Sequence, residues 1–224
     1  MRRVFIGYDP RQPISLNVLQ HSIYTRASVP VAITPIKLDT IPLNRQGLTP
    51  FTFSRFMVPW MCGYKGLALF LDLDMLCLAD IEELFQLYDG KSAVMVVKND
   101  KVEFERSSLM LFNCEKNDTL LPDFIERADG LHGISWVPES MVGALPREWN
   151  HCVGYDDPRP DAKLVHYTQG VPCFDETRGC EYSDAWFREH KAMNSAQPWA
   201  TLMGNSVHAS HSTGKPMPKL AVGG

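Results

Sequence analysis

Leu67-Ala68-Leu69-Phe70-Leu71-Asp72-Leu73-Asp74 runs from an unbroken apolar segment into two carboxylates spaced i and i+2. A short continuous apolar run is the pattern of a strand buried on both faces. Open α/β sheets are built from such strands, and they bind ligands just outside the carboxyl ends. Side chains at i and i+2 of a strand share a face, so both acids are expected to point into that crevice. Carboxylates this close repel each other unless a proton or a cation intervenes. Hard divalent cations take one or two carboxylates and complete their shell with substrate phosphates. The residues thus suggest a metal–phosphate site; the alternative is an exposed turn whose acids face solvent.

On either side, strand and helix patterns alternate. Val4–Gly7 reads as a strand closed by the turn Gly7-Tyr8-Asp9-Pro10, and Ile14–Tyr24 as a helix with Pro13 at its start. Val29–Ile36 reads as a strand with irregular ends, because of Pro30 and Pro35. Leu38–Pro50 reads as a loop and Ser54–Cys62 as a helix ended by Gly63. Beyond the acidic pair come a helix at Ile81–Tyr88 capped by Asp80, strands at Ala93–Val97 and Ser108–Phe112, and a helix at Thr119–Ala128 capped by Asp118. A strand at Lys163–Tyr167 and a helix at Ser183–Met193 follow. Such alternation predicts an α/β domain with a largely parallel sheet. The domain is expected over residues 1–194. Residues 195–224 hold Lys215 and Lys219 but no acid, are rich in Ser, Gly and Pro, and read as a flexible or loosely docked extension.

The chain has 224 residues, 22 Lys plus Arg against 26 Asp plus Glu, and 45% hydrophobic residues. This ordinary composition excludes a disordered or collagen-like chain, and six cysteines without a C-x-x-C pair exclude a disulfide scaffold or zinc ribbon. The net charge of −4 argues against a duplex nucleic-acid binder. No apolar stretch approaches the roughly 20 residues of a membrane span. The run after Arg2-Arg3 stops at Asp9, too short for a signal peptide, so a cytoplasmic location is expected.

His166 ends the late strand, in His166-Tyr167-Thr168-Gln169-Gly170. A neutral imidazole suits a Mn²⁺-like ion as a third ligand, and Gly170 would let backbone approach a phosphate. With these residues in view, the chain resembles the metal-dependent GT-A glycosyltransferases, most closely the retaining family 8 type and its short bacterial and phage-like relatives. The resemblance runs from about Arg3 to His190. It rests on Val4-Phe5-Ile6-Gly7-Tyr8-Asp9, on Phe53-Ser54-Arg55-Phe56 through Asp72-Leu73-Asp74, on Ser107 through Asn113, and on Trp149-Asn150 with His166 through Gly170.

The resemblance implies a GT-A fold: α/β, Rossmann-like, a mixed and mainly parallel sheet flanked by helices. It implies that Asp72, Asp74 and His166 hold Mn²⁺ (or Mg²⁺), which bridges the nucleotide diphosphate. It further implies that Tyr8 and Asp9 touch the nucleoside and that Arg55 binds the donor. Arg106, Ser107 and Ser108 stand where the family commonly carries N-S-G or N-A-G beside the donor sugar. The common late motif H-x-x-G-x-x-K-P-W is altered as well: Gly170 falls one place later and the lysine that steadies the diphosphate is missing, with Lys163 or Arg178 as substitutes to test. For the carboxylate that steadies the reacting sugar, Glu139 in Trp136-Val137-Pro138-Glu139 is the nearest candidate.

The implied activity is transfer of a sugar from a nucleotide-diphosphate sugar, a UDP-sugar by expectation, to an acceptor hydroxyl on a glycan, a lipid-linked saccharide or a protein. The acceptor site is expected to be built largely from the segments after Asn113, or to be completed by the tail or by a second subunit, the last of which would make the protein a homo-oligomer. Three alternatives stand beside this. A haloacid-dehalogenase-type phosphatase also uses a strand followed by D-x-D, with Asp156-Asp157 as its late acidic pair; a sugar nucleotidyltransferase would need a glycine-rich first loop, which is missing; a degenerate transferase would bind sugar nucleotide or glycan without turnover.

Overall fold

The computed structural model describes residues 1–207. Residues 208–224 of the expected extension lie outside the described residues. The chain divides into two compact units, Met1–His190 and a second that begins at Lys191. Within the second, α6 (Trp199–Met203) forms after Pro198.

The first unit is built on a six-stranded sheet. Its strands are β1 (Arg2–Gly7), β2 (Val31–Ile36), β3 (Leu67–Leu71), β5 (Val94–Val97), β6 (Leu109–Asn113) and β7 (Val142–Leu145), in the order β2-β1-β3-β6-β5-β7. The β1–β2, β1–β3 and β5–β7 pairings are parallel, and β6 runs antiparallel between β3 and β5. This is the mixed, mainly parallel arrangement expected. β4 (Met75–Cys77), β8 (His151–Cys152) and β9 (Leu164–His166) form a second sheet in the order β4-β9-β8.

The central strands are fully buried, as the apolar runs require: Leu69, Phe70, Leu71, Leu109, Met110 and Phe112 have no exposed surface. β2 lies at the sheet edge, which tolerates Pro35 because no further strand needs its missing N–H. α1 (Pro13–Arg26) starts at Pro13 and buries Leu16, Leu19 and Ile23. Its buried Ser22 accepts the Cys77 N–H at 3.1 Å, so the helix satisfies a backbone donor of β4. Asp80 caps α3 (Ile81–Gln86) by accepting the Glu82 N–H, as expected. In α5 (Ser183–Met193) the buried Glu189 pairs with His21 and Arg26 of α1.

Two helices differ from expectation, both because of proline. The segment expected as a helix over Thr119–Ala128 becomes α4 (Pro122–Arg127), with Leu121 at the N-cap and no side-chain cap. Pro122 has no N–H to spend and a pre-set φ, so it takes the first helical position and Asp118 is left outside. Ser54–Cys62 splits into a 3₁₀ turn (Ser54–Met57) and α2 (Val58–Met61), because Pro59 cannot donate back into a continuous ladder. Asn117 matches an N-glycosylation pattern, yet it is fully buried, donates to Ala93 O and Asn113 O and accepts from Trp136 Nε1, so it offers no glycan site.

Leu69 lies in the middle of the sheet with no exposed surface. Leu69→Ala is expected to lower unfolding free energy by about 2–5 kcal/mol, read as a shift of the urea midpoint at constant slope.

Candidate metal centre and substrate cleft

β1, β2, β3 and β5 end at one edge of the main sheet, and β6 begins there. Tyr8, Asp9, Lys37, Asp72, Lys98 and Arg106-Ser107-Ser108 therefore collect along that edge. The acidic pair does not sit on a strand: β3 stops at Leu71, and the chain turns through Asp72-Leu73-Asp74 into β4. The two acids converge because this turn buries Leu73 completely in the core between them. Strand alternation, the reason expected from the sequence, plays no part.

His166 arrives by strand register. β4 and β9 pair antiparallel with Met75 opposite His166, and the Tyr167 N–H donates to Asp74 O at 2.9 Å. The imidazole Nε2 is thereby 3.3 Å from Asp74 Oδ1. Asp72, Asp74 and His166 each offer a ligand atom, and these atoms lie within 4.8 Å of one another.

The charge balance of this cluster is negative. Burial pushes the Asp72 carboxyl up to about 7; Arg55 opposes the rise, Asp74 adds to it, His166 opposes it and Glu105 adds to it. Burial alone would lower His166, but Asp74, with Cys152 and Glu105, outweighs it and holds the imidazole well above its ordinary value. Asp72 Oδ1 and Asp74 Oδ1 are buried atoms that receive no hydrogen bond, although Arg55 Nη2 stands 3.2 Å from the former in a poorly aligned ion pair. Two carboxylate oxygens without donors and one imidazole nitrogen form an O,O,N donor set that fits a divalent ion of the Mn²⁺ kind.

Arg55 is a buried side chain rather than a surface charge. It donates from Nε to Phe51 O at 3.3 Å and from Nη1 to Ser107 O at 3.0 Å. Ser107 Oγ lies 2.9 Å from His132 Nδ1, and burial pulls His132 down to about 4, with Arg55 and Arg45 adding to the effect. Asp9 is fully buried and its carboxylate is taken by Arg11, with Nε at 2.9 and 3.0 Å. Tyr8 lines a cavity of about 320 Å³ with Lys37, Asp39, Asn44, Gln46 and Pro50, beyond the ends of β1 and β2. Arg106 donates to both oxygens of Glu139, which also accepts from Lys98 at 2.8 Å. These residues border a second cavity, of about 210 Å³, with Asn99, Asp100 and Glu103. Gly170 adopts φ +113°, a conformation reserved for glycine, in the loop after His166.

Several sequence candidates fall elsewhere. Lys163 sits at the opposite end of β9 from His166 and binds Glu83 at 2.7 Å, so it does not replace the missing lysine. Arg178 lies over the Phe187 ring. Asp156 accepts from Asn99 Nδ2 and Cys152 N, and Asp157 pairs with Lys101, so neither completes a phosphatase-type acidic site with Asp72. Conversely, Glu105, Asn150 and Cys152 surround His166 on its Nδ1 side, at 3.9, 3.1 and 4.0 Å. Trp149-Asn150 already contributed to the resemblance, but only the fold reveals what Asn150 touches.

No protein-family profile matches the chain. It is 38% identical, over 227 residues, to Protein CDI of Arabidopsis thaliana, which covers 86% of this chain and 87% of that protein. The chain belongs to the family of Protein CDI. Among solved structures it is similar to the bifunctional glycosyltransferase WbbM, with a TM-score of 0.68, 16% identity and 97% of this chain covered. It is also similar to the glycosyltransferase GlyE of Streptococcus pneumoniae TIGR4, with a TM-score of 0.65, 16% identity and 85% covered. A third is the galactosyltransferase LgtC solved with donor and acceptor sugar analogues, with a TM-score of 0.60, 10% identity and 89% covered. The chain spans 52% of WbbM and 61% of GlyE but 99% of LgtC. These likenesses show the fold, which is that of the GT-A glycosyltransferases.

The Arg55–Asp72 pair is open to a double-mutant cycle. At pH 8, where Asp72 is ionised, Arg55→Met is expected to cost about 3–5 kcal/mol, because it strands a buried charge. In an Asp72→Asn background the cost should fall by at least about 1 kcal/mol. Equal costs in the two backgrounds, by urea denaturation, would remove the ion pair from the account.

Proposed function

We propose that this protein is a glycosyltransferase that moves a sugar from a nucleotide-diphosphate sugar, most simply a UDP-sugar, to an acceptor hydroxyl, using Mn²⁺ and retaining anomeric configuration. The observation that carries this is the triad of Asp72, Asp74 and His166, with its two undonated carboxylate oxygens, at the ligand-binding edge of a GT-A sheet. An ion held there supplies Lewis-acid stabilisation of the departing diphosphate.

The chain's own residues take the remaining tasks in this reading. The cavity beside Tyr8 receives the nucleoside, and Asp9, next to Tyr8 in the chain and held by Arg11, is the second nucleoside residue of this reading. Arg55 braces Asp72 and the Ser107 loop, so the donor meets a fixed wall. Arg106, Ser107 and Ser108 face the donor sugar. The backbone at Gly170, whose φ of +113° suits glycine, approaches the diphosphate in this reading. Glu139, kept anionic by Lys98 and Arg106, stabilises positive charge developing on the sugar. The acceptor is a glycan, a lipid-linked saccharide or a protein. None of the described helices is long and apolar enough to cross a membrane; the location proposed is the cytoplasm.

The deciding measurement is a thermal-shift screen of UDP, GDP, CMP and their sugars with and without Mn²⁺. One nucleotide should stabilise only with the ion, by about 2.7 kcal/mol at a hundredfold excess over its dissociation constant. Asp74→Ala and His166→Ala should abolish the shift; retention by both variants would sink the assignment, and Mg²⁺-dependent hydrolysis of a chromogenic phosphate ester without nucleotide binding would favour a phosphatase. Glu139→Gln is expected to slow transfer by at least about tenfold while leaving nucleotide affinity within about threefold, read from kcat and KM. Binding without any hydrolysis or transfer of UDP-sugars would instead indicate a binding protein on the same scaffold.

A further inference from the structure

The Nδ1 side of His166 is closed by buried groups, and their hydrogen atoms can be counted. Ser108 Oγ has a single proton and gives it to Glu105 O, 2.7 Å away. Toward Asn150 Nδ2, at 2.9 Å, the same oxygen can therefore only accept. This fixes the amide: its NH₂ faces Ser108 and its Oδ1 is left for His166 Nδ1, at 3.1 Å. An amide oxygen cannot donate, so Nδ1 must carry a proton. The lone pair that can serve a cation then belongs to Nε2, the atom 3.3 Å from Asp74 Oδ1. The other neighbours of Nδ1, Glu105 Oε2 and Cys152 Sγ, are 3.9 and 4.0 Å away and compete poorly for the proton.

Ser108 reaches the other side of the cluster as well. Its carbonyl accepts the Asp72 N–H at 3.0 Å. One residue thus anchors the start of the acidic turn by its backbone and, through Asn150, orients the histidine by its hydroxyl. At this position the motif that the chain resembles commonly carries glycine, which has no hydroxyl to contribute. The relay is a property of this chain's own sequence.

We propose that Asn150, oriented by Ser108, is the positioning residue of the centre: its Oδ1 accepts a hydrogen bond from the Nδ1–H of His166 and so commits Nε2 to the Asp72–Asp74 cleft. The consequence for metal affinity rests on the reading of the triad as a cation site; the hydrogen-bond relay does not. Groups that fix the ring orientation of a ligating histidine typically change metal affinity by about 10- to 100-fold when removed.

The test uses the full chain with ¹⁵N-labelled histidine. In metal-free protein the His166 Nδ1 proton is expected as a downfield, slowly exchanging resonance, assigned by its loss in His166→Ala. Asn150→Leu removes the acceptor at similar volume; it should abolish that resonance and weaken Mn²⁺ binding, by titration calorimetry, by about 10- to 100-fold. Asn150→Asp keeps an acceptor oxygen and should preserve the resonance and Mn²⁺ binding. Ser108→Ala frees the amide to turn and should speed exchange of the proton, which keeps the relay testable if Asn150→Leu does not fold. An unchanged resonance in Asn150→Leu or in Ser108→Ala overturns the proposal, as does wild-type Mn²⁺ affinity in Asn150→Leu. If the resonance behaves as expected but wild-type protein takes up no Mn²⁺, the relay stands and the metal reading falls.

Discussion

Negative charge enclosed at the end of β3 is the constraint that organises this fold. Asp72 is almost entirely removed from water, Asp74 and Glu105 stand near it, and among the described residues one guanidinium, that of Arg55, approaches within ion-pair distance. A buried carboxylate costs several kcal/mol unless it is paired and hydrogen-bonded. The surroundings supply partial compensation from several directions: the imidazole of His166 across the β4–β9 register, Arg55 from the turn before α2, and a fixed backbone through Ser108. Two carboxylate oxygens still lack a donor. A well-packed core has no reason to keep such atoms, so their burial marks a place where a further positive charge completes the structure.

The edge on which this happens follows from topology. Parallel strands β1, β2, β3 and β5 deliver their carboxyl ends together, and antiparallel β6 adds its amino end. The second sheet matters as much. Because the chain turns at Asp72-Leu73-Asp74 directly into β4, and β4 takes β9 as partner, residues 92 positions apart in sequence meet side by side. Loops alone would leave the histidine to wander; a ladder of backbone hydrogen bonds sets its height to within a fraction of a residue repeat.

What could be read from the amino-acid order divides along physical lines. The run Leu67–Leu71 announced itself because full burial on both faces demands unbroken apolarity, and the acids that end it stood out for the same reason. Asp80 as a cap and Ser183–Met193 as a helix were legible from local chemistry. β4, β7 and β8 were not: Met75-Leu76-Cys77 carries no β-branched or aromatic residue, Val142-Gly143-Ala144-Leu145 has a strand-weakening glycine inside it, and β8 is two residues long. They exist because partners elsewhere in the chain offer them hydrogen bonds. The helix expected from Thr119 was misjudged because a capping pattern at Asp118 was weighed above Pro122, whose fixed φ settles the first turn. Glu105 escaped altogether and Asn150 stood out only within the resembling pair Trp149-Asn150: nothing local distinguishes a glutamate in a 3₁₀ turn or an asparagine after a tryptophan from solvated polar residues.

The distribution of cations along the edge bears on how the site would work. Arg11 is spent on Asp9, Lys37 on Asp39, Arg55 on Asp72, and Lys98 and Arg106 on Glu139. Lys163, the nearest lysine in sequence to His166, is held by Glu83 at the far end of its strand. A diphosphate arriving here would find Arg11, Lys37 and Arg55 each paired with a carboxylate of its own, while Lys98 and Arg106 share Glu139 and keep one positive charge between them. Pairing of this kind fixes the walls of the cleft, since a charge that has a partner does not swing toward the ligand. It also leaves little side-chain charge to neutralise a departing dianion. On the proposed reading that burden falls on an ion in the triad to a greater degree than in a site with a free lysine, and the exact seating of His166 becomes correspondingly important.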